Sequence, residues 1–186
     1  MNPIQVEGPA VEPVALADMK AHLRVDHDAE DALIEGLTKA ARLMVEAASR
    51  RLLVEQTWRV ALDRWPETGT LLLPLSPLIA VESITFVDAS GGSIAIPPER
   101  IDADAMSDPP RIAVSDPPQP GRARNGIVVT VRAGYGAAPG DVPATLRLAI
   151  KIIVARWFEN RGDLAGDQTL PPDALAMIAP FRRARL

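Results

Sequence analysis

The residue types best suited to chemistry are few in this chain, and their spacing argues against most of the chemistry they could do. His22 and His27 are the only histidines. On one helix they would point about 140° apart at ~3.6 residues per turn, so they cannot form the i, i+4 pair of a helical metal site, and no HExxH is present. The run Asp26-His27-Asp28-Ala29-Glu30-Asp31 has the carboxylates of a calcium loop but not its glycine at the sixth position or its closing glutamate. Helix capping accounts for it more simply. Asp102, Asp104 and Asp108 could pair for acid-base work, yet they stand beside Pro109-Pro110 in what reads as a loop. Gly134-Tyr135-Gly136 is not followed by the Gly-Lys-Ser/Thr of a phosphate loop, Gly91-Gly92 falls in a hairpin-like turn, and there is no Gly-x-Ser-x-Gly nucleophile elbow. Cysteine is absent, which excludes disulfides, thiolate metal sites and thiol catalysis. Arg122, Arg124 and Arg132 could meet a phosphate backbone, but no aromatic residues are interleaved to stack on bases. We therefore expect no enzyme, no metal and no cofactor.

What remains is surface chemistry. The 186 residues carry 20 Lys and Arg against 24 Asp and Glu, a formal net charge of -4, which disfavours a basic coat for nucleic acid. The charge is polarised. Residues 1–35 are net -6 and residues 142–186 net +3. Such a chain can join its copies head to tail, acidic side to basic side. Asp26, Asp28, Glu30 and Asp31 are the candidate acids for that contact, and Arg147 and Lys151 the candidate bases. At the C-terminus, Phe181, Arg182, Arg183, Arg185 and Leu186 follow Pro180 with no acid among them and no turn signal to fold them back. Aromatic and arginine side chains are the anchors that interfaces favour, so this segment is a candidate docking anchor.

The elements that would position these groups follow from periodicity. The 18 prolines and 12 glycines cluster between Pro66 and Pro143, so the chain reads as helix, then strands with long loops, then helix. The spacing predicts helices over 16–24, 28–49 and 143–161, and a short last helix up to Ala179. Asp26 or Asp28 is the expected cap of the second helix. That helix carries Leu33, Leu37, Ala40, Met44 and Ala47, widened by Ile34, Ala41, Val45 and Ala48, an apolar face broad enough to need more than one partner surface. Trp157, Ile153 and Leu37 are expected in a shared helical core. From Leu53 the period becomes two, with Trp58, Val60 and Leu62 on one side, and further strands are expected at 71–73, 83–87, 93–96, 111–114 and 127–133. The fold class is α+β: one domain over residues 1–186, with a helical core from 14–52 and 141–179, an antiparallel β insertion over 53–134, an extended arm over 1–13, a flexible link over 163–169 and a tail over 180–186. No apolar run is long enough to span a bilayer, and Met1-Asn2-Pro3-Ile4 lacks the features of a signal peptide, so a soluble cytoplasmic origin and no membrane partner are expected.

Three stretches taken together resemble a known family. Residues 13–26, Pro-Val-Ala-Leu-Ala-Asp-Met-Lys-Ala-His-Leu-Arg-Val-Asp, followed by Asp28-Ala29-Glu30-Asp31-Ala32-Leu33-Ile34, look like the opening of tailed-phage head-tail connector (adaptor) proteins of the gp6-like group. Residues 56–66, Gln-Thr-Trp-Arg-Val-Ala-Leu-Asp-Arg-Trp-Pro, are similar to the strand after the second helix in the subgroup with a β insertion. Val131-Arg132-Ala133-Gly134-Tyr135-Gly136, then Val142-Pro143-Ala144 and residues 155–161, complete the pattern. Their order and spacing are what is specific. Ala15 stands where such proteins often carry a serine cap.

The resemblance implies a structural adaptor forming a homo-oligomeric ring, twelve-membered, under the portal of a phage, prophage or gene transfer agent particle. The ring would extend the DNA channel without sequence-specific binding and dock the tail or a stopper protein, with the C-terminal segment against the portal. It places the chain at the capsid-tail junction, and in the host cytoplasm during assembly. The alternative reading is a nucleic-acid-binding regulatory module using Arg122, Arg124 and Arg132, and the third a metal-dependent hydrolase using His22, His27 and nearby aspartates.

Overall fold

The computed structural model describes residues 3–160 and 170–182. The expected end of the third helix at Arg161, the link over 163–169, and Arg183, Arg185 and Leu186 lie outside the described residues. The fold is α+β, and the chain divides into two compact units, Met1–Pro9 with Glu55–Tyr135 and Ala10–Val54 with Gly136–Leu186.

The first unit is all antiparallel. Strands β1 (Pro3–Glu7), β2 (Gln56–Leu62), β3 (Thr70–Leu72), β4 (Leu78–Val87), β5 (Ser93–Ala95), β6 (Ile101–Asp104), β7 (Arg111–Val114) and β8 (Ile127–Ala133) form two sheets, ordered β1-β2-β8-β4-β5 and β3-β7-β6. The period of two is plainest in β8, where Ile127, Val129, Val131 and Ala133 are fully buried and the residues between them only half-buried. Register aligns Val60 on β2 and Ile84 on β4 with Val129, so three fully buried side chains cross the middle of the sheet in one row. The arm expected to be merely extended supplies an edge strand, because Pro3–Gln5 pair with Trp58–Val60 and Gln5 Nε2 donates to Gln56 Oε1 at 2.6 Å. Asp102 and Asp104, expected in a loop, lie on β6. At the end of β8, Gly134 has φ 139°, a region L side chains avoid, and its N–H donates to Pro77 O at 2.9 Å.

The second unit is helical: α1 (Leu16–Leu23), α2 (Asp31–Ser49), α3 (Ala144–Glu159) and α4 (Pro172–Ile178), closed by a 3-10 turn over Ala179–Phe181. Met19, Ile34, Ala41, Val45, Leu146, Ala149, Ile150, Ile153, Val154 and Ile178 make its core. Trp157 and Leu37, expected there, are only half-buried. Helix α2 starts three residues later than its acids suggested. Glu30 holds the cap position without a side-chain cap bond, and Asp28 has turned instead to the Lys20 ammonium 2.6 Å away, since a full opposite charge outbids amides that backbone carbonyls satisfy.

Candidate interaction surfaces

The acidic turn is built by the end of α1. Arg24 takes a left-handed conformation, φ 58°, which ends the helix and sends the chain through residues 25–30 into α2. Lys20 in the last turn of α1 reaches Asp28 at 2.6 Å and Asp31 at 2.7 Å. Its bond to Asp28 chiefly raises the ammonium pKa above its ordinary value, and the same bond holds the Asp28 carboxyl below its own. So of the four candidate acids, Asp28 and Asp31 share one internal cation, Asp26 is exposed, and Glu30 is half-buried with a partner of its own.

The candidate bases lie at the other end of α1. Arg147 and Lys151 on α3 line a shallow cleft with Pro13, Val14, Asp18, Ala144 and Leu148. Arg147 Nε is buried and has no hydrogen-bond acceptor among the described residues. The cleft takes in Asp18 in the first turn of α1, whereas the acidic turn follows Arg24 at the helix end, so acid and base occupy distinct places on the same unit.

A third feature was not legible in the sequence. Arg42, 3% exposed, donates from Nε to Glu12 Oε2 at 2.8 Å and from Nη1 to Glu46 Oε2 at 2.9 Å, while Glu46 Oε1 accepts from Leu53 N at 2.9 Å. The i, i+4 spacing of Arg42 and Glu46 was the only signal, and surface pairs share it. This buried network ties the segment before α1 and the segment after α2 to one side of α2.

The C-terminal segment is not as free as its composition suggested. Phe181 is half-buried, its carbonyl accepts from Arg51 Nε at 2.9 Å, and the Arg182 guanidinium lies 3.4 Å from Ala48 O in the last turn of α2. The negative end of α2 is a natural resting place for a guanidinium. Arg182 is otherwise exposed.

The residues of the competing readings are dispersed or engaged. Arg132 pairs with Glu55 at 2.8 Å and with Glu82, which raises its pKa, Glu55 first. Arg122 and Arg124 are exposed on a loop. His22 and His27 are exposed, and no group of histidine and carboxylate side chains among the described residues is arranged to hold a metal ion. Asp104 accepts from Arg111, Met106 N and Ser107 N, the Arg111 bond chiefly lowering its pKa, and so shapes the turn after β6. Asp108 stands 3.4 Å from the Ser76 hydroxyl. No helix among the described residues is long and apolar enough to cross a membrane.

The chain as a whole resembles known proteins. A family model described as phage gp6-like head-tail connector protein matches residues 13–87, which span α1, α2 and the first strands of the β region. No curated protein sequence matches significantly. Among solved structures, a chain from the virion of a native gene transfer agent particle superposes with a TM-score of 0.85 at 26% identity, over 100% of this chain and 97% of that one. A chain from the neck of an empty gene transfer agent particle, computed with C6 symmetry, gives 0.83 at 26% with the same coverage. One from the neck of a native particle, computed with C12 symmetry, gives 0.83 at 24% and bears on the fold alone. Residues 13–87 match the pattern of the phage gp6-like head-tail connectors and the whole chain has the architecture of gene transfer agent virion and neck chains, which together support a structural connector role.

Proposed function

We propose that this chain assembles as a closed ring of twelve copies beneath the portal of a tailed phage, prophage or gene transfer agent particle, extends the DNA channel, and docks the tail or a stopper protein. The observation that carries the reading is the end-to-end likeness to gene transfer agent virion and neck chains, 26% identical with nearly full coverage of both partners. The role is non-enzymatic, a matter of surfaces. The acidic turn of one copy and the basic cleft of the next suit a head-to-tail ring, because they occupy different places on one unit. Phe181, Arg182, Arg183, Arg185 and Leu186 form the portal anchor. Arg182 lies 3.4 Å from Ala48 O of α2 and the Phe181 carbonyl accepts from Arg51 just beyond that helix, contacts weak enough to be exchanged for carboxylates and a pocket on a partner.

Deleting residues 180–186 tests the anchor. The truncated protein should remain folded, yet lose binding to portal and yield filled particles that are tailless or leak DNA. Unchanged portal affinity would remove the anchor and make the acidic turn the next candidate surface. Imaging of particles for this chain between capsid vertex and tail tests the reading as a whole.

A further inference from the structure

Helix α2 is apolar on both sides. Its buried residues, Ile34, Thr38, Ala41, Arg42, Val45 and Ser49 among them, mark one side. At ~100° per residue the opposite side carries Leu33, Gly36, Ala40, Leu43 and Ala47, all exposed, with Leu33 and Leu43 exposed to 40% and 50%. The exposed polar residues Glu35 and Lys39 border this stripe on one flank, but the stripe itself is apolar where a surface helix usually places polar side chains. Gly36 sharpens the point. Glycine inside a helix weakens it, no positive φ requires it here, and a Cβ at this position would meet nothing within 4 Å. The chain's own fold has no use for that glycine, whereas a second backbone approaching closely does.

We propose that this outer stripe of α2 receives a second copy of the chain, which presents Leu148 of α3 between Arg147 and Lys151. The proposal rests on the ring reading above. In a closed head-to-tail ring every copy needs two different faces that fit each other, and the two-fold symmetric alternative of stripe on stripe would end at a dimer. Leu148 is 41% exposed on the outside of α3, and its neighbours Arg147 and Lys151 are cations at the rim of an open cleft. The stripe has exposed Glu35 and Lys39 along one flank and the acidic turn at its leading end. An arginine whose buried Nε has no acceptor among the described residues of its own chain is a group that a neighbour's carboxylate can satisfy. Leucine meets a leucine-lined stripe at its small-residue waist, and the cations beside Leu148 are opposite in charge to the acidic turn.

The test uses particles assembled with the full-length chain, counting copies per particle, and the purified protein as a folding control. Leu43→Glu should melt as wild type, because Leu43 is exposed, but reduce the copies incorporated at least tenfold, while Leu43→Met incorporates normally. The absence of cysteine allows a second measurement without background. Ala40→Cys combined with Leu148→Cys, treated in particles with a short bismaleimide, should give a ladder of covalent oligomers beyond the dimer, and neither single variant should. Full incorporation of Leu43→Glu, a dimer from Ala40→Cys alone, a crosslink from Ala40→Cys to a different protein, or no double-variant ladder would each overturn the assignment. Failure of the ring reading is distinguishable, since wild-type particles would then hold the chain in one copy or none.

Discussion

Arg42 and its two carboxylates form a buried ionic group that is costly to disturb. A guanidinium that is 4% exposed at its side chain has its buried charge compensated by Glu46 and Glu12. Removing one partner leaves the charge buried and uncompensated, a loss of about 3–5 kcal/mol in comparable pairs. Glu46→Ala should therefore destabilise by that amount in urea unfolding, and should do so more than Glu12→Ala, since Glu12 is more exposed. Nothing in the local sequence announced this, because a charge on the edge of an apolar stripe reads as solvated until a partner 30 residues away is known. The acidic turn misled for the same reason, its capping role being displaced by Lys20 from another helix. Asp28 and Asp104 also give a sign. Both titrate below the ordinary carboxylate value in the folded chain, so they stabilise at neutral pH, and that contribution disappears as pH falls through their folded values. Asp104→Asn should lower the melting temperature at pH 7, and the gap to wild type should close in strong acid.

Among the elements, those with a clear period were legible and those defined by distant pairing were not. Strand β8 alternates buried and half-buried residues as its sequence predicts, and α1, α2 and α3 begin and end within a few residues of their expected bounds. Strand β1 was hidden behind three prolines and exists because β2, some fifty residues on, offers it an edge. Strand β6 was hidden by Asp102 and Asp104, whose alternation looks like loop polarity until Ala103 is found opposite Ile112 of β7. Helix ends allow a direct prediction. Arg50 closes α2 at φ 58°, a conformation that strains any residue with a Cβ. Arg50→Gly should raise stability by about 1 kcal/mol in thermal or chemical unfolding, glycine being the residue this C-cap geometry favours. An unchanged or lower stability would mean that the arginine side chain holds something of comparable worth.

At the scale of the whole molecule, the charge decides against the competing reading. A chain of net charge -4 whose Arg132 is held by two glutamates leaves the regulatory-module reading only Arg122 and Arg124 of its three arginines, on one loop. Duplex DNA should migrate unshifted with the purified protein even at low ionic strength, and a salt-dependent shift would revive the regulatory-module reading. The candidate surfaces were legible only as composition: the sequence located the acidic and basic stretches, while the cleft, the buried Arg147 Nε and the bare side of α2 emerge only from the fold. The path of the chain has one more consequence. It passes from the first unit to the second after Pro9, returns after Val54 and leaves again after Tyr135. On the ribosome, therefore, β1 and β2 emerge long before the β8 strand that completes their sheet, and α1 and α2 wait longer still for α3. Neither half can finish early, neither can be excised as a contiguous fragment, and a single nick at any crossing leaves two covalent tethers intact.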